Sequence, residues 1–195
     1  MAQSAAPRAD HRAAETRSRI LEATIALTFE KGPLATTMGE IAQRAGVERV
    51  TLYRHFGDER ALHRAAGLLC MERYPPPSDA PLFEIRDPRR RTVRALTALY
   101  AHWERMAPLV RPILRDADIA PQRFSLELRD RYVEVIRRAV LAAFPAPTRR
   151  RAELHEAVRH AFEFRTWDSL ARGGFTRGRA VALMSKLVMA SARGR

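Results

Sequence analysis

The chain has 195 residues, 46% of them hydrophobic, enough to bury one full core or two small ones. Its single cysteine, Cys70, excludes an intramolecular disulfide and a multi-cysteine metal cage, and no run of about 18 apolar residues is present to cross a membrane. The net charge of +13 favours a polyanionic partner, yet residues 1–70 carry ten basic and eight acidic side chains, net +2, and the surplus lies beyond them.

The opening run "MAQSAAPRADHRAAE" has no apolar stretch behind its charges, so no secretory signal is expected there and a reduced, cytoplasmic protein is predicted. Cys70 reads as a small buried side chain. Residues 1–15 are expected to be a flexible arm, with helix setting in at about Ala13 and running to Lys31. Ile20, Leu21, Leu27 and Phe29 lie near one broad apolar side of it, and Gly32-Pro33 ends it. "TMGE", Thr37 to Glu40, reads as a capping box that opens a short second helix, stopped by Gly46. A third helix spans about Glu48 to Phe56. "GDERAL" breaks it and starts a fourth, which reaches about Tyr74.

Three consecutive prolines then open "PPPSDAPLFEIRDPRRR", residues 75–91, which reads as a linker. Beyond it, helices are expected at about 91–107, 109–117, 121–144, 149–172 and 177–192. Pro108, "DADIAP", "FPAPT" and "GGFT" serve as separators. No alternating strand pattern occurs, so the predicted fold class is all-α. Residues 16–74 form the first domain and residues 92–195 a second, helical one.

Within the first domain, Ile41, Ala42 and Ala45 of one short helix and Leu52 and Phe56 of the next point inward across a Gly46-Val47 turn. This is the plan of a helix-turn-helix. At 100° per residue, Leu52 and Phe56 lie 40° apart and define the core side of the second helix. Val50 and Arg54 then face outward, Thr51 and His55 lie beside them, and Arg49 and Tyr53 flank the core side. A hydroxyl, a phenol, guanidinium groups and an imidazole on one solvent face hydrogen-bond phosphates and base edges. A merely polar, solvated face is the plainer alternative.

The run "ILEATIALTFEKG...TTMGEIAQRAGVERVTLYRHFGDERAL", residues 20–62, resembles the DNA-binding domain of the TetR family of bacterial transcriptional regulators. "TT", "IA..AGV", "TLY.HF" and the trailing "AL" fall at that family's spacing, over about one third of the chain. The resemblance implies that Thr37 caps the second helix and binds a phosphate, and that Met38 lies near the groove edge. It places Arg49, Val50 and Thr51 against the bases, has Tyr53 and His55 reach phosphates, and sets Arg54 between them. Three departures stand out. Val50 replaces a glycine often found there. Glu59 stands where the family usually has a phosphate-binding lysine, with Arg60 beside it. Thr28 and Phe29 shift the usual aromatic by one residue.

The resemblance also implies that the second domain binds a ligand and dimerises through the last two helices, so that two half-sites select a pseudo-palindromic operator. Val181, Met184, Leu187 and Val188 form the apolar stripe expected of such a seam, or of a core. Trp103, Met106, Phe124, Phe164 and Trp167 read either as the lining of a pocket for an apolar or aromatic ligand or as core filling. The implied mechanism is repression relieved by a small-molecule effector. The alternatives are a regulator that needs no ligand, and activation in place of repression.

No enzyme is expected. "HEAVRH" sets His155 and His160 five residues apart, about 140° around a helix, which misses the i, i+4 spacing of a zinc-protease site. No nucleophile elbow or phosphate loop is present. No cofactor and no metal site is predicted, a sensor built from His102 with His155 or His160 being the remote alternative.

Overall fold

The computed structural model describes the backbone of residues 6–115 and 123–193, and the side chains of residues 10–115 and 127–193. The described residues form α1 (Ala6–Lys31), α2 (Met38–Ala45), α3 (Arg49–Phe56), α4 (Glu59–Arg73), α5 (Ala80–Phe83) and α6 (Pro88–Arg115). These are followed by α7 (Arg123–Leu141), α8 (Ala146–Arg149), α9 (Ala152–Ala161), α10 (Phe164–Arg172) and α11 (Arg177–Arg193). No strand occurs among them, so the fold is all-α. No helix among the described residues is long and apolar enough to cross a membrane.

The chain divides into two compact units, one of residues Met1–Pro75 with Pro108–Glu127, the other of Pro76–Ala107 with Leu128–Arg195. The first unit therefore takes a segment from beyond the proline-rich stretch, where the sequence suggests a simple succession of domains. Three helix expectations also change. Helix α1 starts at Ala6, inside the stretch expected to be an arm. Pro108 separates nothing: α6 runs for 28 residues through both Pro108 and Pro112. Each proline forfeits one backbone hydrogen bond. Buried side chains anchor the helix on both sides of the loss, Leu99, Trp103 and Met106 before it and Ile113 after it. The helix expected over 149–172 is instead broken into α8, α9 and α10 at residues 150–151 and 162–163. The proline-rich stretch holds the short α5.

In the first unit α1 packs on α2 and α4. Ile20, Leu21, Ile25 and Leu27 of α1, Ile41 and Ala45 of α2, Leu52 and Phe56 of α3, and Leu62 and Ala66 of α4 are buried. Phe29 is only half-buried and lies 6.2 Å from the Tyr74 ring, while Thr28 takes the interior place beside it. The hydroxyls of Thr24 and Thr28 are satisfied by donating to the carbonyls of Ile20 (2.8 Å) and Thr24 (2.7 Å). Gly32 ends α1 at φ +87°, and a β-carbon there would lie 2.7 Å from Pro112 Cβ, so glycine is required twice over. Cys70 is buried, and that burial pushes its thiol up to about 11, out of the reactive range.

In the second unit the core is built from Leu96, Leu99, Tyr100 and Trp103 of α6, Val133, Ile136 and Val140 of α7, and Leu154 and Val158 of α9. Arg91, 5% exposed, donates to the carbonyls of Ile85 (2.7 Å) and Ala139 (2.7 Å), which ties the start of α6 to the end of α7. Helix α11 packs on α9 and turns Val181, Met184 and Val188 inward. The four-residue stripe, expected of a dimer seam or of a core, is divided. Three members fill the chain's own core, because the face at i, i+3 and i+7 is the one α11 must bury to pack on α9. Leu187 stays 40% exposed, one turn from Leu183, also 40% exposed.

Candidate nucleic-acid interface

The site begins with the cap of α2. Thr37 has extended backbone (φ −97°, ψ 154°), and its hydroxyl accepts from Glu40 N–H at 3.3 Å. The Glu40 carboxylate accepts from Thr37 N–H at 3.0 Å and from the Thr37 hydroxyl at 2.8 Å, which closes the capping box. Lys31 adds an ion pair to the same carboxylate. The Lys31 ammonium, followed by the Thr37 N–H and hydroxyl, holds the Glu40 carboxyl at about 2, against an ordinary 4.5. The lowered value means that native structure favours the ionised form. The capping contribution is therefore complete above pH 4.5 and is lost as pH falls from there towards about 2. Acid titration of helicity will show wild type more stable than Glu40→Gln at neutral pH, with the gap closing over that interval. A gap independent of pH would contradict it.

Helix α2 ends on Gly46 in the left-handed conformation (φ 65°, ψ 43°), whose N–H and that of Val47 close the turn on Gln43 and Ala42 carbonyls. Leu52, fully buried, and Phe56 then fix the rotation of α3. That rotation leaves Val50 65% exposed and Tyr53 39% exposed, with Arg49 and Arg54 also exposed and Thr51 and His55 half-buried at the edges. Six of the eight residues expected at the DNA surface, Arg49, Val50, Thr51, Tyr53, Arg54 and His55, are thus carried by α3.

Met38 is different. It is 5% exposed and belongs to the core, not to a groove edge. Its spacing to Ile41, Ala42 and Ala45 (i, i+3, i+4, i+7) puts it on the one face that α2 buries. Thr37 is exposed, but its hydroxyl hydrogen is already given to Glu40, so donating to a phosphate would require leaving that carboxylate.

The guanidinium of Arg49 donates to Tyr53 Oη at 3.2 Å across one turn and lies 5.8 Å from its ring centroid. Tyr53 accepts in that bond, so its own hydroxyl hydrogen stays available to an acceptor outside. Arg44 is bound bidentately by Glu30 (3.0 and 2.8 Å) and Arg73 by Glu22. Those hydrogen bonds lower both carboxylates and raise both arginines, so these cations are locally neutralised. Glu59 is the first residue of α4, next to the Asp58 cap that accepts from Ala61 N–H at 2.7 Å. An acid there complements the helix dipole.

A contact not foreseen from the sequence comes from α1. The Arg17 guanidinium lies 4.4 Å from the Phe56 ring centroid, with Nη1 3.5 Å from the carbonyl oxygen of His55. Arg17 stands one turn before Ile20 and Leu21, a spacing that would have revealed it.

The aromatic residues named for a ligand pocket also meet. Trp103 lies 5.7 Å from Phe164 and 6.1 Å from Trp167, which are 5.2 Å from each other. Tyr100 stacks on Trp103 at 5.5 Å and donates its hydroxyl to the Ala161 carbonyl at 2.8 Å. Met106 is buried, and the side chain of Phe124 lies outside the described residues. Of the histidines, His102 is buried against Tyr132 (5.6 Å), while His155 and His160 are exposed, His155 held by the Arg149 carbonyl at 2.7 Å. Among the described residues no group of three metal-ligating side chains occurs.

An all-helical chain whose first unit is a helix-turn-helix with a polar, outward second helix has the build of a DNA-binding regulator. Residues 20–66 match the family model for bacterial regulatory proteins, tetR family. The chain is 44% identical over 50 residues to the transcriptional regulator AcrR of Shigella flexneri, a match over 26% of this chain and 23% of that protein. The matched part thus spans about a quarter of that relative's length. Over most of the chain, the fold is similar to PfmR, a TetR family regulator from Thermus thermophilus. That likeness has a TM-score of 0.59 and 25% identity, covering 90% of this chain and 98% of that one. FadR of Bacillus subtilis, solved in complex with stearoyl-CoA, shares the fold at a TM-score of 0.59 and 14% identity, covering 91% and 98%. Residues 20–66 thus carry the sequence pattern of the tetR family of bacterial regulatory proteins, and over most of its length the chain shares the fold of a TetR family regulator.

Proposed function

We propose that the protein is a cytoplasmic, homodimeric repressor that binds a pseudo-palindromic DNA operator through α3 and is released by a small apolar or aromatic ligand. The observation that carries the DNA-binding part is the outer face of α3, where Arg49, Val50, Thr51, Tyr53, Arg54 and His55 gather on a helix anchored from behind by Leu52 and Phe56. Thr37 at the start of α2 and Tyr53 and His55 on α3 are assigned to phosphates, Arg49, Val50 and Thr51 to base edges, with Arg54 between them. Tyr53→Phe removes one hydroxyl and tests the assignment. Operator binding in a gel shift is expected to weaken by roughly fivefold, in keeping with one lost hydrogen bond of about 1 kcal/mol. Unchanged binding would remove Tyr53 from the interface.

The ligand reading rests on Trp103, Met106, Phe164 and Trp167, four buried large apolar side chains, with Phe124 from the same set; FadR, of the same fold, is described with stearoyl-CoA. Trp103 and Trp167 are the chain's two tryptophans. A ligand entering between their rings will shift or quench intrinsic fluorescence in a saturable titration and release bound duplex in parallel. Release of DNA with no change in fluorescence would place the ligand elsewhere.

A further inference from the structure

We propose that Arg17 is a further DNA-affinity residue: a positioning residue that pins the carboxyl end of α3 and gives its remaining N–H groups to a DNA phosphate. The proposal rests on the DNA-binding reading above.

Arg17 lies three and four residues before Ile20 and Leu21, which are 0% and 9% exposed. At helical spacing it continues the inward stripe of α1 by one turn, past the point where the apolar core ends. What it meets there is the end of α3. Its guanidinium covers the ring of Phe56 at 4.4 Å, and Phe56 is one of the two side chains that set the rotation of α3. Its Nη1 stands 3.5 Å from the His55 carbonyl, which belongs to the last turn of α3. Carbonyls in that turn have no helical partner of their own. The following glycine, Gly57, gives its N–H to Tyr53 at 2.7 Å, which leaves the His55 oxygen to the arginine. A cation at this end also complements the helix dipole.

The geometry uses little of what arginine offers. The guanidinium has five N–H donors and no acceptor, and one long contact occupies one of them. Arg17 is exposed and has no carboxylate partner among the described residues, whereas Arg44 and Arg73 in the same unit are held by Glu30 and Glu22. A planar, un-neutralised fork fixed at the end of the helix that carries Tyr53, Arg54 and His55 suits a phosphodiester oxygen.

The test uses the full chain and the duplex that wild type selects, with dissociation constants measured by fluorescence anisotropy between about 0.05 and 0.3 M salt. Arg17→Met keeps the aliphatic stem and removes the charge. It is expected to weaken binding on the order of tenfold at about 0.15 M salt, and to make the slope of log K against log salt shallower by about one. Arg17→Lys keeps the charge and loses the stacked fork, so its slope should match wild type while its affinity falls between the two. A merely structural arginine would lower the melting temperature of Arg17→Met and leave the salt slope untouched, and that result overturns the proposal. Wild type that binds no duplex even at about 0.05 M salt would overturn the DNA-binding reading itself, and this proposal with it.

Discussion

Leu187→Glu is expected to turn the proposed dimer into monomers and to lower operator affinity by roughly 10²–10⁴-fold, the loss incurred when two linked half-site contacts become one. The basis is the two-sided character of α11. Ala180, Val181, Met184, Ser185 and Val188 are buried in the chain's own core. Leu183 and Leu187, one turn apart, remain 40% exposed on another side. A leucine pair left outside on a helix whose remaining apolar face is already satisfied suits a second copy of the same helix. Placing a carboxylate there requires desolvating a charge against leucine and should abolish pairing. Light scattering reads the mass directly. A persistent dimer would move the interface off α11. Because Leu187 contributes little to the monomer's interior, helicity should be retained.

Arg49→Ala is expected to lower operator affinity by about 1–3 kcal/mol and to relax preference at one base pair in each half-site, as loss of a bidentate guanine contact does. The residue stands at the first position of α3, exposed, with no ion pair among the described residues and its guanidinium steadied by Tyr53 Oη at 3.2 Å. The helix is held by Leu52 and Phe56, so stability should change by no more than about 0.5 kcal/mol. Gel shift against single-base variants of the selected duplex separates the two effects. A uniform loss across all variants would make Arg49 a phosphate contact. No loss would leave base reading to Val50 and Thr51.

The parts of this molecule that were readable from sequence are those set by short-range chemistry. Thr37 and Glu40 announce the start of α2, Gly46 its end, and Leu52 with Phe56 the buried side of α3, because caps, left-handed glycines and helical periodicity act within a few residues. Met38 was misplaced by resemblance, although its spacing to Ile41, Ala42 and Ala45 already marked it as interior. Long-range packing was not readable. Pro108 looks like a terminator by local rules, yet α6 passes through it because buried side chains hold the helix on either side. The Arg17 contact joins residues 38 positions apart. The meeting of Trp103 with Phe164 and Trp167 joins α6 to α10, and an apolar aromatic has the same sequence signature in a core as in a pocket wall. The stripe on α11 was visible, but which of its members turn inward depends on where α9 lies.

The measurement that bears most directly on the proposed function is selection of bound sequences from a random duplex pool at about 0.15 M salt, since phosphate contacts make affinity depend on ionic strength. Enrichment of a two-fold symmetric motif, with half-sites about one helical turn or a multiple apart, is the predicted result for a dimer that reads bases through α3. A pool that emerges without an enriched motif would contradict it, leaving a helix-turn-helix that holds the DNA backbone without reading its sequence.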